Sequence, residues 1–220
     1  GYAAPLMVGN MGQDLSSATN ASLLVAVEPI SVIFLSAYFL GEAWTKPKIV
    51  SLILSLLGSA LIVLQGIPFW NAQITPHFKG DALLFFHGFL WSLYTVIGKP
   101  VLRKVDPMTF TAITTVIAVA PLAWAAGPWP FGLAAAPMAP STLAAVAYLA
   151  VFSTFLGTLT WNKALQMIPA SQLANFIFLQ PLVGTVSGVF LLKDDFTLWS
   201  ALGGGLILLG LYFSAKAPEH

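Results

Sequence analysis

Apolar residues run along this chain in long stretches, separated by short clusters of charge, proline and asparagine. A helix needs about 20 mostly apolar residues to cross a hydrocarbon layer of about 30 Å. Stretches of that length lie at 17–40, 46–67, 82–102, 107–126, 141–163, 169–192 and 196–215. Pro68, Asn71 and Pro76 divide the second from the third, and Gly127-Pro128-Trp129-Pro130 with Pro137 and Pro140 divides the fourth from the fifth. Residues 1–12 are apolar but too short to cross. The first residue is Gly and no charged segment precedes it, so these residues read as the tail of a helix that begins earlier, not as a signal peptide. The pattern therefore predicts an all-α, polytopic membrane helix bundle of seven full spans and one partial span. Its loops are too short for a separate soluble domain.

Composition agrees. Of 220 residues 58% are hydrophobic and 8% charged, too few charges to coat a water-soluble surface of this size, and the net charge is only +1. A nucleic-acid partner is thereby excluded, and the lipid bilayer is the implied surroundings. With no cysteine there is no disulfide and no thiolate chemistry. No metal cluster or cofactor motif is present. Gly203-Gly204-Gly205 is no phosphate loop, because it lies inside an apolar span and lacks the Lys-Ser/Thr.

Charge also orients the chain. Alternating loops place Lys46, Lys48, Lys99, Arg103, Lys104, Lys163 and Lys216 on one face, and Lys79 and Lys193 on the other. The positive-inside bias makes the first face cytoplasmic, with the C-terminus inside. Trp44, Trp70, Trp124, Trp129 and Trp199 fall near span ends, where an aromatic belt belongs.

Sliding the chain on itself by 152 positions aligns Asn10 with Asn162, Ala18 with Ala170, Thr19 with Ser171, Pro29 with Pro181, Glu42 with Asp194, Thr45 with Thr197 and Gly58 with Gly210. Five spans separate the aligned points, so the two copies would cross the membrane in opposite senses. That inverted repeat is the architecture of many secondary transporters, with a site near the midplane between the halves. The second copy starts near Gly80, so its mate would start roughly 70 residues before Gly1. Two helices and most of a third are then expected upstream, and the 220-residue chain alone is expected not to transport.

The run Ala18 to Gly66, with Glu28-Pro29 and Leu40-Gly41-Glu42, resembles the end of an EamA domain. Gly80-Asp81-Ala82-Leu83 through Trp91-Ser92-Leu93-Tyr94 resembles the start of a second, completed by Pro169-Ala170-Ser171, Gln180-Pro181 and the glycine-rich last helix. The chain thus resembles the EamA type of the drug/metabolite transporter superfamily. That implies ten helices in two inverted five-helix repeats, of which residues 1–67 are the end of the first and 80–217 the second. It implies export of a small-molecule substrate, an amino acid or related metabolite, across a bacterial-type cytoplasmic membrane. It also implies a central cavity among the helices bearing Glu28, His87, Trp91, Tyr94, Asn175 and Gln180. Where the family often repeats Glu-Pro, the second copy here has Gln180-Pro181.

Glu28 lies roughly 16 Å into its span at 1.5 Å per residue. A charge there costs at least about 2.5–3.5 kcal/mol, so the residue should face a wet cavity, be paired, or be protonated. It reads equally as a proton or substrate-amine site and as a neutral group bonded to backbone freed by Pro29. Pro181 should build the matching kink. His87 is a relay candidate or an imidazole satisfied by a helix carbonyl. Trp91 and Tyr94 share its helix face, as packing or as binding wall. Trp161 reads as an interface anchor, and Asn162 as a path closure or a helix–helix bond. Asn175, with Gln172 on the same face, is a candidate cavity lining. H⁺ is the candidate coupling ion, and a homodimer is left open. The rival functions are a lipid-linked or nucleotide-sugar carrier, marked by a lateral opening, and a non-transporting membrane scaffold, marked by a dry centre. No HExxH, GxSxG or acid cluster points to an enzyme.

Overall fold

A computed structural model describes residues 2–67, 77–126, 139–193 and 195–217. Asp194, Trp70, Trp129 and His220 lie outside the described residues. The described chain is all helical: α1 is Ala3–Leu15, α2 Ala18–Leu40, α3 Lys46–Leu64, α4 Phe78–Leu102, α5 Pro107–Ala126, α6 Pro140–Met167, α7 Ala170–Leu191 and α8 Leu198–Ala215. Seven of them are long and apolar enough to span a bilayer.

Their ends follow local chemistry. Ser17 and Thr197 cap α2 and α8 by accepting the amides of Asn20 and Ser200, each at 3.1 Å. Asp106 accepts the amides of Met108 and Thr109 at the start of α5, where Pro107 needs no amide partner. At the far end of α2, Gly41 takes φ +69° and the Glu42 amide reaches back to the Ser36 carbonyl at 3.3 Å. That left-handed turn stops the helix and brings Glu42 back over the bundle.

Two helices depart from the uninterrupted spans that hydropathy predicts. In α2 the regular helix breaks between Leu24 and Val27, immediately before Glu28-Pro29. In α7 the turn Asn175–Phe178 tightens to 3₁₀ geometry just before Gln180-Pro181. A proline ring clashes with the carbonyl four residues back and offers it no amide, which puts the disturbance at these places. A wider π stretch, Leu149–Gly157, lies within α6.

The α1–α4 and α3–α8 pairs are antiparallel, whereas α2 and α4 run parallel, with Asn20 beside Asp81 and Glu28 beside Ser92. In α1 and α4, Gly9 meets His87, Gly12 meets Leu84 and Leu15 meets Gly80. In α3 and α8 the backbones touch: a Cβ on Gly58 would stand 2.5 Å from the Gly203 carbonyl oxygen and 2.9 Å from Ile207. A Cβ on Gly210 would meet the hydroxyl of Ser55 and, at 2.9 Å, the carbonyl of Ser51. These contacts are images of each other: adding 152 to Gly58 and subtracting it from Gly203 and Ile207 yields Gly210, Ser51 and Ser55. Small residues on both helices permit this approach.

The core is layered along the bundle. Near the lysine-rich end an apolar plug of Val32, Val96, Leu102, Leu165, Ala170, Leu173 and Ala174 joins α2, α4, α6 and α7. At the other end Asp81 accepts from Ser16 Oγ (2.5 Å), Asn20 Nδ2 (2.9 Å) and the His77 amide (3.1 Å), holding the α1–α2 turn against the start of α4.

Candidate functional site

The break in α2 and the tight turn in α7 face a common space. A cavity of about 310 Å³ is lined by Glu28, Gln180, His87, Trp91, Trp161 and Tyr2, with Ser153, Thr154 and Thr158 of α6 on one side. A second of about 110 Å³ also touches Glu28, His87 and Gln180 and extends past Gln13, Leu24 and Leu84, away from the lysine-rich end. Glu28 and Gln180 are related by the 152-position offset, and both border both cavities.

Glu28 is 9% exposed. The Trp91 indole is the polar group its carboxyl meets. Its backbone carbonyl accepts from Ser92 Oγ at 3.0 Å, and the same hydroxyl reaches the Gly88 carbonyl at 2.7 Å. Ser92 thereby pins the broken part of α2 to α4. It appeared in the sequence only as part of a motif.

His87 Nδ1 stands 2.8 Å from the Pro5 carbonyl oxygen. A carbonyl only accepts, so Nδ1 carries the proton. The ring also lies over Trp91, with centroids 6.5 Å apart. Tyr2, Trp91 and Tyr94 form an aromatic triangle with centroids 5.5–5.8 Å apart, the spacing of favourable ring pairs. Tyr2 and Trp91 border the cavity, and the Tyr2 hydroxyl lies 3.0 Å from Thr158 Oγ1. Tyr94 stands behind them: the Asn162 amide nitrogen bonds its hydroxyl at 3.2 Å and Thr111 Oγ1 at 2.9 Å. Asn162 is wholly buried and joins α6 to α4 and α5. Its offset mate Asn10 is exposed.

Asn175 is also fully buried, but its amide donates to Ser171 O (3.2 Å) and Ser214 Oγ (3.1 Å), which ties α7 to α8. It is not among the residues that border the two cavities. Trp161 borders the larger one, with an indole nitrogen that has no partner among the described residues.

Glu42 was visible in the sequence only as a repeat partner and as part of a motif. It spans 128 positions to accept the Ala170 amide at 2.7 Å, and 129 to accept the Ser171 amide at 3.0 Å and the Ser171 hydroxyl. Partial burial raises its pKa, but these donors and the positive charge of Lys48 outweigh burial and hold the carboxyl below its ordinary value. The contact seals the lysine-rich end below the apolar plug. Nothing near Leu40-Gly41-Glu42 in sequence points to α7.

Membrane-length apolar helices around an open cavity with a carboxyl, an amide and an imidazole in its lining, bordered by two broken helices, define a polytopic membrane protein built as transporters are. The sequence matches the EamA-like transporter family over residues 2–64 and 78–215, and the chain belongs to that family. An "Uncharacterized transporter" of Archaeoglobus fulgidus is 32% identical over 210 residues, covering 94% of this chain and 71% of the relative. A protein of Streptantibioticus cattleyicolor named "Probable terminal-alkyne amino-acid exporter" is 24% identical, covering 96% of this chain and 68% of its own. In fold, the chain matches a solved crystal structure with a TM-score of 0.78 at 19% identity, over 98% of this chain and 75% of that one.

Proposed function

We propose that this chain carries the central site of a secondary transporter that exports small organic metabolites, amino acids or related compounds, by alternating access between two inverted repeats. The observation that carries the reading is that Glu28, buried, and Gln180, exposed, offset mates beside Pro29 and Pro181, border one open cavity among the helices. A cavity of about 310 Å³ is at the lower end of the 300–1,000 Å³ typical of small-molecule sites. Among the described residues its lining offers one carboxyl, one amide, one imidazole, hydroxyls and aromatic faces, and no Lys or Arg. That set suits a solute with an amino group and an apolar or aromatic body, because Glu28 supplies negative charge and the aromatic faces attract cations. The S. cattleyicolor relative, named an amino-acid exporter, supports the same class.

In this reading the lysine-rich end is cytoplasmic, and the plug and Glu42 close it. Glu28 alternately holds a proton and the substrate amine, and Gln180 supplies the neutral half of the site. The helix irregularities before Pro29 and Pro181 are the places where the halves flex.

The test is counterflow of radiolabelled amino acids and related amines by the full-length protein in liposomes, with and without a pH gradient. Saturable exchange that a gradient drives in the wild type, with Glu28→Gln needing a higher amine concentration for exchange and losing the gradient-driven part, is the expected result. Gradient-driven transport that is unchanged in Glu28→Gln would remove the proton role, and absence of exchange for every amine tried would remove the substrate class.

A further inference from the structure

The lysine-rich end holds a third space that neither the cavity nor the plug accounts for. It is a cleft of about 290 Å³ bordered by Glu42 and Lys48 on one side and by Lys99, Arg103 and the turn Gln166 to Pro169 on the other. Lysines at a membrane boundary normally extend their ammonium groups into water. Here most of two of these side chains is withdrawn from the surface: Lys48 is 4% exposed and Lys99 7%. Taking a charge out of water costs several kcal/mol unless an opposite charge and hydrogen bonds repay it.

Here the repayment is incomplete. Lys99 Nζ donates to two neutral carbonyls, Leu165 O at 3.0 Å and Ile168 O at 2.5 Å. Lys48 donates no hydrogen bond among the described residues. Among the described residues the lining includes a single carboxylate, Glu42. Its oxygens are taken by the Ala170 and Ser171 amides and the Ser171 hydroxyl, and it meets Lys48 and Lys99 only through longer-range attraction. Three cations against one committed anion leave the cleft electropositive, with an ammonium that has a donor to spare.

We propose that this cleft is an anion site that takes a phosphate group, with Lys48 and Arg103 as its ligands and Lys99 supplying charge. Arg103 is exposed at the rim, and its planar guanidinium suits two phosphate oxygens at once. A phosphate held there would contact the α2–α3 segment on one side and α4 with the α6–α7 turn on the other. It would tie together the same two sides that Glu42 joins and so favour the closed lysine-rich end. The headgroup of an anionic phospholipid and free phosphate share this chemistry, whereas phosphatidylcholine sets against its phosphodiester a trimethylammonium that three cations would repel. The inference does not depend on which solute the central cavity carries, nor on whether it carries one.

The test uses the purified full-length protein in detergent, with the thermal midpoint followed as dioctanoyl phosphatidylglycerol, dioctanoyl phosphatidylcholine or inorganic phosphate is titrated. Wild type should show a saturable rise with phosphatidylglycerol or with inorganic phosphate and none with phosphatidylcholine. Arg103→Gln and Lys48→Met should each raise the half-saturating concentration about tenfold, the loss of one hydrogen bond between charged partners. A rise with phosphatidylglycerol alone assigns the site to lipid, and one with inorganic phosphate assigns it to free anion. Equal rises with both lipids, no rise at all, or half-saturation unchanged in Arg103→Gln would overturn the proposal. Arg103 is exposed, so that variant decides the matter even where Lys48→Met unfolds.

Discussion

The contact from Glu42 to the start of α7 makes a measurable prediction, because the carboxylate is the only part of the α2–α3 turn that bonds the α7 N-terminus. Glu42→Gln keeps the side-chain length and one acceptor oxygen but turns the other into an NH₂ that faces donors. A hydrogen bond to a charged group contributes about 1.5–3 kcal/mol net, and the favourable position at a helix N-terminus adds about 0.3–1 kcal/mol. With one acceptor kept and the carboxylate only partly buried, a loss of about 2 kcal/mol is a fair working figure. At 1.4 kcal/mol per factor of ten, that is roughly a 30-fold rise in the population with this end open. These 220 residues contain no cysteine, so Leu173→Cys in the plug, 95% shielded in the closed state, can serve as the reporter, with labelling of the parent protein subtracted. Its rate of reaction with a water-soluble maleimide should rise about 30-fold in Glu42→Gln and less in Ser171→Ala. Acid should do the same. Glu42 has its pKa lowered on folding, so its contribution is complete above the ordinary value of 4.5 and is lost as pH falls through the lower folded value. Wild-type labelling relative to free thiol should climb over that window, and Glu42→Gln should stay flat. Labelling that changes less than about twofold in Glu42→Gln at neutral pH would refute the latch.

Two further perturbations address the packing. Gly58→Ala and Gly210→Ala sit at equivalent places in the α3–α8 contact, so each should lower stability by an overpacking cost of about 1–3 kcal/mol and by similar amounts. Thermal midpoints in detergent check this, and a large loss in one with none in the other would argue against equivalent packing. Asn162→Ala should cost about 1–3 kcal/mol, because it strips the buried hydroxyls of Tyr94 and Thr111 of a shared partner. Asn162→Ala with an unchanged midpoint would mean that the bridge contributes nothing.

How far the site could be read in advance varies residue by residue. Glu28 stood out because a carboxyl in the middle of an apolar span is costly wherever it points. The irregular turns fall before Pro29 and Pro181 because a proline disturbs its own helix locally. His87 was given two roles, and the structure shows the carbonyl contact together with a place beside the cavity. Asn175 and Gln172 share a helix face in sequence, yet the Asn175 amide turns to Ser214. Helical periodicity says which residues share a face, not what that face meets.

Sequence by itself determined the class of fold: lengths of apolar stretch against bilayer thickness, and the capping and proline chemistry that ends or bends each helix, are local quantities. It also carried the 152-position repeat. Tertiary structure alone decided that Glu28 and Gln180 share a cavity, that Glu42 bonds a helix 128 positions away, and that Lys48 and Lys99 are buried around one cleft. These depend on which helix lies beside which. In a bundle whose spans are nearly all apolar, that choice is made by the fit of small-residue faces such as Gly58 against Gly203, and by a few polar contacts between distant segments.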